Sequence, residues 1–302
     1  MPTPGLSLVG FMDQQQALIH LRGVCIPADA SDFALTRDWY IARSKLGPLF
    51  PDAGTPDIHP IAGPDREYIE SLLAESWVQV ATANQFTADD FQMVEIAPLL
   101  AFQTVISIDR SNHHCAPISS PSTSQILPIC LPSVQPSMPP NTIITPITDT
   151  SNSVIIKTRD LNMQADRHGV FAMNAQGHQS WVAGKLLQMA LPFTHVVKFN
   201  DRYYLHNGFH RALGIAKSGA SHMPCLVREV ATAEEAGIKI EGPELQTFPQ
   251  RILESLNPPT VGHFVQDRAH EVALRSVSRI ITISWSQTIL PDEYDQALPS
   301  RP

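Results

Sequence analysis

The chain has 302 residues, of which 43 % are hydrophobic and 17 % charged, and a formal net charge of −8. The apolar share supports a sizeable core, and the small charged share excludes disorder of the whole chain. With only 21 Lys and Arg residues and no run of them, broad sequence-independent binding to nucleic acid is disfavoured, because that mode rests on neutralising many phosphates.

The N-terminal stretch MPTPGLSLVGFMDQQQALIHL lacks the basic start and long apolar run of a signal peptide. No stretch approaches the roughly 18 apolar residues of a membrane span, so a cytoplasmic protein is expected. Cys25, Cys115, Cys130 and Cys225 form no C-x-x-C pair, which disfavours a paired-cysteine zinc site and suits reduced, mostly buried thiols.

From Leu8 to about Asp90 the pattern is helical. GFMDQQQALIHLR is followed by SDFALTRDWYIARSKLG, with Ser31 or Asp32 as cap and Gly47 as stop. Pro64 and the acidic residues after it suit the first turn of another helix, and TADDF suits a short further one. QMVEIAPLLAFQTVISIDRS reads as strands around Val94–Ile96 and Thr104–Ile108.

Between Arg110 and Asp149 there is no charged residue, and eight of the 26 prolines fall between Pro117 and Pro146. Proline at that density predicts an extended excursion without interior helix or central strand. Its Ile126, Leu127, Ile129, Leu131, Val134, Ile143 and Ile144 would then lie against a folded surface or a partner. Beyond it, SVIIKTRD predicts a strand, GHQSWVAGKLLQMALPF a helix, and THVVKFNDRYYLHNG two strands turning at Asn200-Asp201. A helix from Gly208 to near Ser218, a strand HMPCLVREV, a helix FPQRILESLNPP and a strand between Val277 and Ile283 complete the series.

The run VVKFNDRYYLHNGFHRALGIAKSGASHMPCLVREV resembles the core of the ParB/sulfiredoxin-like superfamily, in which a strand pair leads into a G-x-[HR]-R turn at a helix start and a strand with a small-Pro step follows. VEIAPLLAFQTVIS is similar to the first strand and turn of that fold. The expected architecture is therefore α+β: a helical region 1–90 packed on a ParB/sulfiredoxin-like mixed-sheet domain 91–230 that carries the Pro-rich insertion 111–149, then a helix and strand extension 231–302. A bacterial setting follows from the resemblance alone.

Independently of the family, Gly208 allows a tight turn, and the helix behind it presents free N–H groups and a positive dipole end. His210 and Arg211 on its first turn add donors suited to an anion, with Asn207 and Lys217 as rim candidates. The resemblance implies a nucleotide or phosphoester there, CTP or ATP with Mg²⁺ among relatives. Phe209 stands where CTP-binding relatives carry Glu and sulfiredoxins their catalytic Cys, so no catalytic residue is assigned.

Two other readings stand beside nucleotide binding: a non-enzymatic interaction or scaffold protein that docks a partner or itself through residues 117–147, and a ParB-like nuclease. His206 with His210, and the SNHHC run at Ser111–Cys115, lack three converging ligands, so no metal site is assigned. Trp39-Tyr40 and Tyr203-Tyr204 read as half-buried packing, and Glu234 and Glu235 as solvated surface.

Overall fold

The computed structural model describes residues 3–24, 30–46, 52–116, 118, 121–135, 143–145, 153–158, 163–175, 178–189, 191–238, 248–275 and 279–284. The described elements, in chain order, begin with β1 (Thr3–Ser7), α1 (Gln14–Val24), α2 (Asp32–Ser44), β2 (Ile58–Pro60), α3 (Pro64–Ala74) and α4 (Ser76–Thr82). There follow β3 (Phe91–Glu95), β4 (Leu100–Ala101), β5 (Val105–Ser107), α5 (Ile108–Cys115), α6 (Thr123–Cys130), β6 (Ile143–Thr145), β7 (Ser153–Thr158), β8 (Met163–Ala175) and β9 (His178–Met189). The last are β10 (His195–Phe199), β11 (Arg202–Asn207), α7 (Phe209–Lys217), β12 (His222–Glu229), α8 (Gln250–Leu253), α9 (Val261–Val265), β13 (His270–Leu274) and β14 (Arg279–Ser284). The protein is α+β, and contacts divide it into two compact units, one of residues 1–136 with 191–276, the other of 137–190 with 277–302.

In the first unit a mixed sheet runs β2-β3-β12-β10-β11-β4, with β10 parallel to β12, β11 parallel to β4 and the other pairs antiparallel. Its core includes Phe91, Val94, Val196, Val197, Tyr204, Leu205, Met223 and Leu226. A three-stranded antiparallel sheet, β13-β1-β5, joins the N-terminal strand to residues near 106 and 272. This unit therefore draws on residues before 90, between 91 and 136, and after 231.

The local signals explain most of its elements. Ser31 caps α2 by accepting the Ala34 N–H, and Pro64 opens α3 with Asp65 and Glu67 in the first turn. Thr87 and Asp90 form a capping box on the single 3₁₀ turn of TADDF. Asn200 and Asp201 both take positive φ, 49° and 57°, which gives the β10–β11 turn the twist a two-residue hairpin needs.

Two expectations are corrected. The Pro-rich segment is not extended throughout: α6 forms inside it with Pro128 in its interior, and Ile126, Leu127, Cys130 and Leu131 are core residues. Burial of that apolar face outweighs the helix-breaking proline, whose ring sits on the exposed side. Residues 136–142 and 146–149 of the segment, like Cys25, lie outside the described residues.

The stretch read as a helix after residue 178 is instead β9, paired with β8 from Ala175↔His178 to Met163↔Met189. Gly184 in the middle disfavours a helix, and a long antiparallel partner overrides the residual helical pattern. The strand expected between Val277 and Ile283 is β14, and a further strand, β13, precedes it; β13 is assigned to the first unit and β14 to the second. The second unit also contains a sheet β14-β7-β6, all antiparallel.

Candidate functional site

The hairpin β10–β11 delivers Asn207 and Gly208 to the start of α7. Gly208 has φ 104° and ψ 19°, and a Cβ there would stand 2.6 Å from the Thr194 methyl, so only glycine fits on both counts. The first turn of α7 then buries Phe209, Ala212 and Leu213 against the core. At Gly214 the Cys115 sulfur occupies the place a Cβ would take, which lets α5 and α7 approach closely.

The side chains of this turn are engaged with the framework. Asn207 Nδ2 donates to the carbonyls of Leu191 (3.1 Å) and Phe193 (2.9 Å). Arg211 Nη1 donates to the carbonyls of Ile129 (3.3 Å) and Cys130 (3.1 Å), and to that of Pro192. The guanidinium thus sits at the C-terminal end of α6, where free carbonyls and the negative dipole end favour a cation. Burial lowers its pKa, partly opposed by the thiols of Cys130, Cys225 and Cys115.

His210 Nε2 accepts the Ser107 N–H (3.2 Å), and Ser111 Oγ donates to the His210 carbonyl (2.8 Å). An accepting Nε2 places the ring proton on Nδ1. Burial, followed by the charges of Arg110, His114 and Arg211, pushes His210 down to about 3, so the ring is neutral at pH 7.

The structure therefore brings Asn207, Gly208, His210 and Arg211 together, with buried Phe209 between them. Lys217 is at the opposite end of α7, about 12 Å away along the axis at 1.5 Å per residue. Two groups join the turn that its own sequence does not announce. Arg110 and His114 lie on α5, which packs on α7, and both act on the His210 ring. Partial burial, then Arg211, Arg110 and His113, hold His114 at about 4.

The N–H groups of Phe209, His210 and Arg211 have no hydrogen-bond acceptor among the described residues, while Ala212 N–H already bonds the Gly208 carbonyl (2.8 Å). Nucleophilic chemistry finds no support in the described thiols. Burial raises Cys115 to about 11 and Cys130 to about 12, and raises Cys225 well above its ordinary value.

A second constellation lies beyond the C-terminal end of α7. Asp57, His59 and His222 hold their donor atoms within 4.8 Å of one another, as the one group of three such residues among those described. Asp57 and His59 show the i, i+2 spacing that puts two side chains on one face of a strand. His222 is remote in sequence, and only the sheet joins it to them.

Comparisons of the chain with protein-family models, with curated proteins and with solved structures find no match.

Proposed function

We propose that this chain is a phosphate-binding, and specifically nucleotide- or phosphoester-binding, protein of the ParB/sulfiredoxin-like type, with the ligand held at the first turn of α7. The observation that carries the reading is a cationic helix start in an acidic chain. Three N–H groups at the start of α7 have no acceptor among the described residues, and Arg110 and Arg211 are positive charges that act on the neighbouring His210 ring. Helix N-termini of this kind bind anions through their aligned donors and dipole. The order of the β10–β11 hairpin, the Gly208 turn, α7 and β12 supports this reading.

Backbone N–H groups and Arg110 are the direct ligands in this reading. Asn207, His210 and the bonded edge of Arg211 keep the turn in shape. Phe209 supplies neither base, nucleophile nor metal ligand, so the role is binding. Of the described apolar residues of the Pro-rich segment, Ile126, Leu127, Cys130 and Leu131 are inside the core, Ile118 and Ile129 are partly buried and Val134 is exposed, which leaves little described apolar surface for the alternative interaction reading.

Thermal unfolding of the full chain with inorganic pyrophosphate, CTP, ATP and GTP, each with and without Mg²⁺, tests the proposal. A ligand at about 100 times its Kd stabilises the folded state by about 2.7 kcal/mol. Stabilisation by at least one of these anions supports the site, and no shift with any of them overturns it.

A further inference from the structure

We propose that Asp57, His59 and His222 form a binding site for one divalent transition-metal ion of the Zn²⁺, Co²⁺ or Ni²⁺ class. The site is built by strand register. β2 and β12 both flank β3, and Glu95 faces His222 on one side while its N–H donates to the Asp57 carbonyl (2.9 Å) on the other. Residues opposite one another across a sheet share a face, so Asp57, His222 and, two residues along, His59 converge.

Both imidazoles direct Nε2 at one carboxylate oxygen. His59 Nε2 is 3.1 Å and His222 Nε2 3.8 Å from Asp57 Oδ2, and the two rings stack with centroids 5.1 Å apart. The far nitrogen of His222, Nδ1, lies 2.9 Å from Ser221 Oγ. With Nδ1–H donating to that hydroxyl, Nε2 presents a lone pair, which is the orientation that a ligand imidazole receives from its outer partner. Nε2 of His222 is buried and has no hydrogen-bond partner. Facing a carboxylate oxygen, that nitrogen is satisfied either by a proton of its own or by a cation held between the two.

Glu95 holds the carboxylate-bearing residue in place, because its Oε2 accepts the Asp57 N–H (3.1 Å). Two imidazoles and one carboxylate suit a borderline ion and not Mg²⁺ or Ca²⁺, which take oxygen ligands. Three protein ligands on a partly exposed sheet edge leave a coordination position for water or a small anionic ligand. The site shares no residue with the α7 turn and stands whatever binds there.

The test is titration of the tag-free full chain with Co²⁺, read by its visible ligand-field absorption, with Zn²⁺ as competitor. One equivalent is expected to bind, to give a tetrahedral or five-coordinate spectrum and to be displaced by Zn²⁺. His59→Ala, His222→Ala and Asp57→Asn should each weaken binding at least about tenfold. His59 and Asp57 are exposed, so their variants should keep the metal-free unfolding midpoint of the parent. Absence of binding at tens of micromolar Co²⁺, or unchanged affinity in His59→Ala and Asp57→Asn, overturns the site.

Discussion

Arg211 bonds three backbone carbonyls, two of them some eighty residues upstream. Truncation in Arg211→Ala would leave those carbonyls without their charged donor. Hydrogen bonds to charged groups contribute roughly 1.5–3 kcal/mol, so Arg211→Ala should lower stability by about 2–3 kcal/mol in urea unfolding. Gly208→Ala should also destabilise, by about 1–3 kcal/mol, through its φ of 104° and the clash with Thr194. The sequence pattern places both residues correctly at the helix start. Arg211's carbonyl partners were not legible, because α6 supplies them from a segment whose prolines argue against a helix.

Histidine chemistry at this scale sets a pH dependence. Burial depresses His210 and His195 to about 3 and His263 to about 4 in the folded state, while the unfolded rings titrate near the ordinary value of about 6.5. As pH falls below about 6.5 the unfolded chain takes up protons first, so stability is full above that value and declines below it. Each such ring contributes a slope of about 1.4 kcal/mol per pH unit. Urea unfolding between pH 7 and 5 should show a falling midpoint, and His210→Gln should flatten part of the slope. A midpoint independent of pH across that window would contradict the burial of these rings.

Among elements, α6 shows why the proline-rich run was hard to read. Proline count alone predicts an extended chain, but SQILPIC also has apolar residues spaced to fill the space beside β12 and α7, and tertiary burial decides. Pro128 is exposed and removes a donor to the Ser124 carbonyl, so Pro128→Ala should raise stability by about 1–2 kcal/mol in thermal or urea unfolding. β9 departs from its local helical pattern for the converse reason: its partner β8 is a neighbouring strand whose pairing no local pattern in residues 178–189 reveals. By contrast α2, α3, α7 and the β10–β11 hairpin were legible, because a cap, a first-turn proline, a glycine or an Asn-Asp turn marks each boundary. The Asp57–His59–His222 group was not legible, because the helical pattern before residue 90 hides the short strand β2 and only the sheet brings His222 to it.

At the scale of the molecule, no described helix is long and apolar enough to cross a membrane. The chain carries a net charge of −8, and in the proposed reading the α7 turn, with Arg110 and Arg211 beside His210, is a cationic spot within it. Attraction of an anion to that spot acts against the acidic remainder and should weaken as salt screens it, over a Debye length of about 8 Å at physiological ionic strength. The decisive residue is Arg110, which is exposed and whose side chain has no hydrogen bond or ion pair among the described residues, its backbone N–H alone donating to the Ser107 cap, so charge reversal there leaves the fold intact. Isothermal titration of the full chain and of Arg110→Glu with inorganic pyrophosphate tests the central claim most directly. Saturable binding to the parent, weakened at least about tenfold in Arg110→Glu with an unchanged unfolding midpoint, is the predicted result; no binding to the parent, or equal affinity in both proteins, would contradict it.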